Sequence, residues 1–274
     1  MTYEEVEPYY DQFEYIYGVG GVSGNLNGEI KPGGNPHEGA RSRDYPNPPT
    51  KRTPQGELFA KAAESLGYHP FQGPAAAMTR DYMNLYKNFL GECARGGFCS
   101  SHACSQGAKA SPMTAVLPSL MKQPTFELRP LSNVIKILTD STGKKATGVI
   151  YVDARGRQFE QPADMVVVAT YCFNNTRLLL LSGIGKPYDP VSNTGVVGRN
   201  YSYQTGGRVE VFYDDQEFNP FIGGGMVNTS IDDLNGEVLH SVPRDFVGSA
   251  YIAVSTRSEE HTSELQSRFG ISYA

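Results

Sequence analysis

The 274-residue chain carries 24 Lys plus Arg against 29 Asp plus Glu and no basic run, so it has no electrostatic footprint for nucleic acid. No stretch approaches the roughly 18–20 consecutive apolar residues of a membrane span, and the acidic opening MTYEEVEPYY is unlike a secretory leader. A chain of this length needs no disulfide staples, so its four cysteines call for chemistry or ordinary burial, while 30 Gly, 18 Pro and 17 Tyr describe a loop-rich globular protein.

In TYEEVEPYYDQFEYIYG, Thr2 and Glu5 stand at capping-box spacing, and Val6, Tyr9, Phe13 and Tyr17 recur at helical intervals before Gly18. A helix is expected, divided by Pro8 into a short and a longer piece. From Gly18 to Pro49 the composition shifts to Gly, Pro, Asn and Ser, which predicts an extended surface excursion anchored by Arg41, Arg43 and Tyr45. Within it, GVGGVSG at 18–24 copies the glycine spacing of a dinucleotide loop. It follows a helix rather than a buried strand and precedes no helix, so it reads as a plain loop. TPQGELFAKAAESLGYHP spells a helix, with Thr53 as N-cap, Pro54 at the first position, Leu58, Phe59, Ala62 and Leu66 on one face, and Gly67 as the stop.

GECARGGFCSSHACSQGAKASP then gathers Cys93, Cys99 and Cys104 around His102. Their spacing is unlike the paired cysteines of structural zinc sites, and a disulfide would leave one thiol odd. A glycine-rich loop of thiolates can wrap an iron–sulfur cluster; inert thiols are the competing reading. The fourth, Cys172, is expected in the core.

Ser111 and Pro112 open a helix running through MTAVLPSLM, with a bend at Pro118. NVIKILTD, ATGVIYVD and RQFEQPA, separated by STGKK and ARGR, predict a three-stranded meander. The valine run of DMVVVAT suits a parallel strand shielded on both faces, with residues 165–169 close to residues 132–138. NNTRLLLLSGIG follows as a helix closing on Gly183, and from GGRVEVFYDD onward alternation predicts an antiparallel sheet. His37, His69 and His240 stand isolated in loops and read as structural or solvent-facing. The pairs Asp214/Asp215 and Asp232/Asp233 read as turn formers rather than acid/base dyads, because neighbours on a strand point to opposite faces.

The order of meander, valine run and LLLLSGIG, together with EPYYDQFE, YPNPP, GELFAKAAESLGYHPF, AKASP, LLLLSGIGKPYDP and GVVGRNYSYQ, resembles the glucose-methanol-choline (GMC) oxidoreductases. Among these it is similar to the flavoprotein subunits of bacterial gluconate 2-dehydrogenases and related polyol dehydrogenases, over essentially all of residues 2 to 256. The resemblance implies a mixed α/β fold: part of a doubly wound FAD-binding domain with a β-meander, plus part of an antiparallel substrate-binding sheet. It divides the chain into a helical, loop-rich excursion with the cysteine segment (1–110), FAD-binding elements (111–200) and the start of the substrate sheet (201–256). It implies FAD as cofactor, with its adenine half against the meander at Val134, while Ala169 and Thr170, at the carboxyl end of the valine run, stand where open α/β sheets present their ligands; all three would bind through backbone atoms, and a purely structural role is the competing reading. It also implies an iron–sulfur cluster on Cys93, Cys99 and Cys104, passing electrons to a cytochrome c subunit. A sugar acid or polyol would be the substrate, a small subunit a further partner, and the periplasmic face of a membrane, reached only through a partner, the location.

The chain departs from the family pattern at Cys172, Asn175 and Thr176, and Gly96 stands where relatives carry another cysteine. The family's glycine fingerprint would precede Met1 and its catalytic histidine would follow the matched region, so the catalytic residues stay unassigned. RSEEHTSELQSRFGISYA, Arg257 to Ala274, resembles a translated sequencing adapter and is expected to stand outside the fold. Two other readings stay open: a non-catalytic truncated polypeptide, and a small metal-binding module with Cys93, Cys99, His102 and Cys104 on zinc.

Overall fold

A computed structural model describes residues 1–95, 104–203, 206–211, 213–216, 218, 228–235, 250–255 and 269–273. The chain forms two compact units, Met1–Phe126 with Gln204–Ala274, and Glu127–Tyr203.

The first unit opens with α1 (Tyr3–Tyr17), where the Thr2 N–H donates to the Glu5 carboxylate at 2.7 Å as the capping spacing predicts. Gly18, at φ 64°, ends it by donating its N–H to the Glu14 carbonyl. Pro8 does not divide this helix, which runs unbroken from Tyr3 to Tyr17 with the proline in its second turn. Ile16 is the residue that α1 buries, while Tyr9 and Phe13 face solvent.

The excursion carries a small hairpin, β1 (Asn25–Leu26) with β2 (Glu29–Ile30), and its expected anchors hold it against α1. Arg41 forks onto the Glu14 carboxylate and stacks 3.7 Å from the Tyr45 ring centroid; Arg43 donates to Asp11 at 2.6 Å and stacks on Tyr15 at 3.4 Å. GVGGVSG is a loop, as read. A Cβ at Gly24 would run into the Asn35 carbonyl, so its glycines serve chain-to-chain contact rather than a phosphate.

In α2 (Pro54–Ser65) the Thr53 hydroxyl accepts the Gly56 N–H at 3.1 Å, as expected of its cap. The buried face is rotated from the predicted one: Gln55, Gly56, Ala60 and Ala63 are covered, whereas Ala62 and Leu66 are exposed. The cause is close packing on the sheet, because a Cβ at Gly56 would sit 2.5 Å from the Thr229 hydroxyl. Then come β3 (Phe71–Gln72), the hairpin β4 (Tyr82–Met83) with β5 (Phe89–Leu90), and the short helices α3 (Pro112–Ala115) and α4 (Leu117–Leu120). The break falls at Val116, and Pro118 lies in the first turn of α4. Met78, Leu90, Ala108, Ala115 and Ile16 form the core beneath these turns.

In the second unit, β6 (Asn133–Thr139), β7 (Ala146–Val152) and β8 (Gln158–Pro162) form the predicted antiparallel meander in that order. Asp140 and Asp153 fold its two turns, each accepting backbone N–H groups from its own loop. α5 (Cys172–Leu181) ends as expected, with Gly183 at φ 70° donating to Leu180. Ser182 fastens it to the meander: its hydroxyl accepts the Ile137 N–H at 2.8 Å and donates to the Leu178 carbonyl at 2.6 Å.

The doubly shielded valine strand is not formed. Residues 163–170 adopt no strand, and Met165 and Val167 are 78% and 79% exposed. Such a strand needs a hydrogen-bonded neighbour on each edge and a layer on each face, and the meander is this unit's sheet among the described residues. Cys172 is likewise exposed rather than in the core, because α5 buries Leu178 near its other end.

The first unit's main sheet takes the order β3, β10 (Asn228–Ile231), β11 (Ile252–Ser255), β12 (Phe269–Tyr273) and β9 (Arg208–Val211), all antiparallel. Alternation from GGRVEVFYDD onward is thus met. The segment expected to stand outside the fold supplies β12, whose backbone occupies the place between β11 and β9. A ladder position of this kind asks for free N–H and C=O groups rather than particular side chains. The mixed helix-and-sheet class is as read, and every ladder between the named strands is antiparallel. No helix among the described residues is long and apolar enough to cross a membrane.

Candidate functional site

The residues expected at a flavin lie in the second unit. Val134 sits on the edge strand β6 opposite Tyr151, and the register slips between Val134 and Lys136, leaving Ile135 without a partner. Such a bulge re-aims peptide groups that a regular ladder would consume. Ala169 and Thr170 are both exposed, in the turn entering α5. The Thr170 N–H and hydroxyl both donate to the Asn175 side-chain oxygen at 2.7 Å, and Asn175 in turn donates its N–H to the Tyr171 carbonyl. Tyr171 holds the turn at φ 75°, a conformation that L side chains seldom adopt.

These residues fit part of an FAD. A bulged edge and an exposed apolar run beside α5 offer backbone groups and surface to a flat ring, whereas no glycine-rich strand–turn–helix for the phosphates stands among the described residues. Of the three, Thr170 has its N–H already engaged by Asn175.

The cysteine segment belongs to the first unit. Cys93 and Cys104 pack against the same core cluster, around Met78 and Leu90; Cys99 and His102 lie outside the described residues, as does His240. Burial pushes the Cys104 thiol up, but backbone N–H groups of Lys109, Gln106 and Ala108 aimed at the sulfur hold it below the ordinary thiol range. Cys93 accepts the Arg95 N–H at 3.4 Å. Both thiols are free and half-buried.

One constellation escaped the sequence reading. His37 and His69, expected to be isolated, converge on Asp233, one of the expected turn formers. His69 Nδ1 lies 2.6 Å and His37 Nε2 3.3 Å from Asp233 Oδ1, and the rings meet edge to face at 5.9 Å. The turn role of Asp232 holds, its carbonyl accepting the Asn235 N–H at 3.0 Å. The local signal was faint: each histidine neighbours a proline, Pro36 or Pro70, which stiffens the loop presenting it. Asp214 and Asp215 are exposed in a bend, as expected.

Comparison with known proteins bears on the whole chain. The family profile described as GMC oxidoreductase matches residues 1–205. A gluconate 2-dehydrogenase flavoprotein of Pantoea cypripedii is 40% identical over 269 residues, which is 97% of this chain and 44% of that protein. A paromamine 6'-oxidase of Streptomyces fradiae is 32% identical over 71% of this chain and 32% of its own length. A 2-methyl-1,2-propanediol dehydrogenase of Mycolicibacterium austroafricanum is 31% identical over 73% and 33% respectively. The chain thus spans less than half the length of these relatives. With the meander, the α5 stop and the profile match falling on one continuous stretch, the chain belongs to the GMC oxidoreductase family.

Proposed function

We propose that this chain is part of an FAD-dependent dehydrogenase that oxidises CH–OH groups of a sugar acid or polyol, in the manner named for its Pantoea relative. The observation that carries this is the 40% identity maintained across 97% of the chain. The family is one of flavoproteins, and when bound the flavin supplies the hydride acceptor for the alcohol carbon. The part given to this chain is to hold the nucleoside end: backbone groups at Val134 on the bulged edge, and at Ala169 and Thr170 beside α5. The Asn175 side chain fixes the turn that presents the latter two.

The cysteine segment extends the reading to electron exit. Cys93, Cys99 and Cys104 hold an iron–sulfur cluster that passes electrons to a cytochrome c subunit, with a small subunit in the assembly and the periplasmic side of a membrane as its place. Support comes from the thiolate-favouring surroundings of Cys104 and from the packing of both Cys93 and Cys104 on one core cluster. The test is to express the gene containing these residues and follow gluconate-dependent and polyol-dependent dye reduction alongside the visible spectrum. Flavin absorbance bleached by one of these substrates supports the reading; a protein without flavin, or dye reduction indifferent to both, overturns it. Iron content that persists in Cys104→Ser overturns the cluster.

A second reading concerns these 274 residues alone, and the exposure of Met165 and Val167 favours it. On this reading the purified chain is colourless and inactive, because the turn beside α5 lacks a covering layer. Added FAD that yellows the chain after desalting would overturn it.

A further inference from the structure

The geometry points to a binding site for a zinc-like divalent cation formed by His37, His69 and Asp233. Each gives one donor atom, His37 Nε2, His69 Nδ1 and Asp233 Oδ1, and the three lie within 4.8 Å of one another. Zinc bound at roughly 2.0–2.2 Å in tetrahedral geometry sets its ligand atoms about 3.3 Å apart. His37 Nε2 already stands 3.3 Å from Asp233 Oδ1. The 2.6 Å between His69 Nδ1 and the same oxygen must open slightly, and the His69 side chain, 62% exposed, has room to withdraw.

The donor set selects the cation. Two imidazoles and one carboxylate suit borderline metals of the zinc kind, whereas calcium and magnesium seek oxygen cages. Outer contacts already orient the ligands. Asp233 Oδ2 accepts the His69 backbone N–H at 3.0 Å, which leaves Oδ1 to face both rings. Asn35 binds the His37 N–H at 3.0 Å through its oxygen and donates its side-chain N–H to Asp232 at 2.9 Å. The bond to Asp233 Oδ2 holds the carboxylate ligand in place before a metal arrives, and outer contacts to ligand groups are worth a factor of about 10–100 in affinity. On the exposed His69 side, water can enter and complete the coordination. The cation would staple three segments separated by as many as 196 residues: the excursion, the link from α2 to β3, and the turn after β10. This site uses none of the cysteines and does not depend on the flavin reading.

The test is cobalt titration of the full chain after chelator treatment, followed by zinc competition. Expected is one equivalent of cobalt with visible d–d absorption and no sulfur-to-cobalt charge transfer, displaced by zinc. A Cys93→Ser/Cys99→Ser/Cys104→Ser variant should keep this spectrum. His37→Phe and Asp233→Asn should each weaken zinc binding by about a hundredfold or more and abolish the rise in thermal midpoint that zinc gives the parent chain. Absence of the one-equivalent spectrum in the parent chain overturns the site whatever the variants do. So does cobalt absorption lost entirely in the cysteine-free variant, or binding undiminished in both His37→Phe and Asp233→Asn; in those cases His37, His69 and Asp233 form only a hydrogen-bonded pin.

Discussion

Residues 18–49, apart from the short β1–β2 hairpin, and residues 163–171 are both irregular, yet the first segment is tied down by buried polar side chains while the second leaves Met165 and Val167 in solvent. Asn47, 2% exposed, donates to the Gly18 carbonyl at 2.8 Å and accepts the Arg80 guanidinium at 3.0 Å, and Arg41 closes on Glu14 from the same stretch. The valine run has no equivalent; its downstream end is secured by the Thr170–Asn175 contacts. The contrast shows what fixes non-repetitive backbone. Polar groups taken from water demand partners and so dictate a path, whereas an apolar run gains a fixed place only where other elements come to cover it.

The sharpest way to break this contrast is at the Arg41–Glu14 pair. Arg41→Met leaves a carboxylate nearly buried and unpaired and should cost about 3 kcal/mol, read as a lowered urea midpoint at unchanged slope. Adding Glu14→Gln should restore much of it. Asn84→Ala comes next. This buried side chain donates to the Ile16 and Ala115 carbonyls at 2.9 and 2.7 Å and accepts the Tyr86 and Asn88 N–H groups, so its loss should cost about 2 kcal/mol by the same assay.

In the second unit the effects should be smaller. Ser182→Ala removes the fastening between α5 and β6 and should cost about 1 kcal/mol, with faster amide exchange at Ile137 as the local readout. Asp153 is half-buried, and the Arg157 side chain, helped by the Arg157 and Arg155 backbone N–H groups, holds its carboxyl below the usual range against the opposing cost of desolvation. A depressed carboxylate stabilises the fold above its ordinary pKa and loses that contribution as pH falls through the depressed one. Asp153→Asn should therefore flatten the acid limb of the stability curve slightly while changing little at low pH. Smallest of all, Val167→Lys should shift stability by no more than about 0.5 kcal/mol; a shielded strand would lose several.

What could be read from the sequence follows the same division. Thr53 and Pro54, the STGKK and ARGR turns of the meander and the Gly183 stop are local signals, complete within a few residues, and each appears where expected. Arg41, Arg43 and Tyr45 were legible as anchors because charged and aromatic groups stand out in a glycine-rich tract. The covered face of α2 was not, since it depends on how closely β10 approaches Gly56. Nor was Cys172, whose exposure depends on what α5 lacks beside it. The convergence of His37 and His69 on Asp233 joins positions 196 and 164 residues apart, a distance over which periodicity says nothing.

The pairing of β3 with β10 has a bearing on how the chain reaches this form. Gln72 bonds Thr229, 157 positions further on, so the amino-terminal helices emerge during synthesis long before the strand that completes them exists. High contact order slows collapse into the final arrangement and lengthens the time that a docking edge is open to wrong neighbours. Low temperature and slow translation should thus raise the soluble yield.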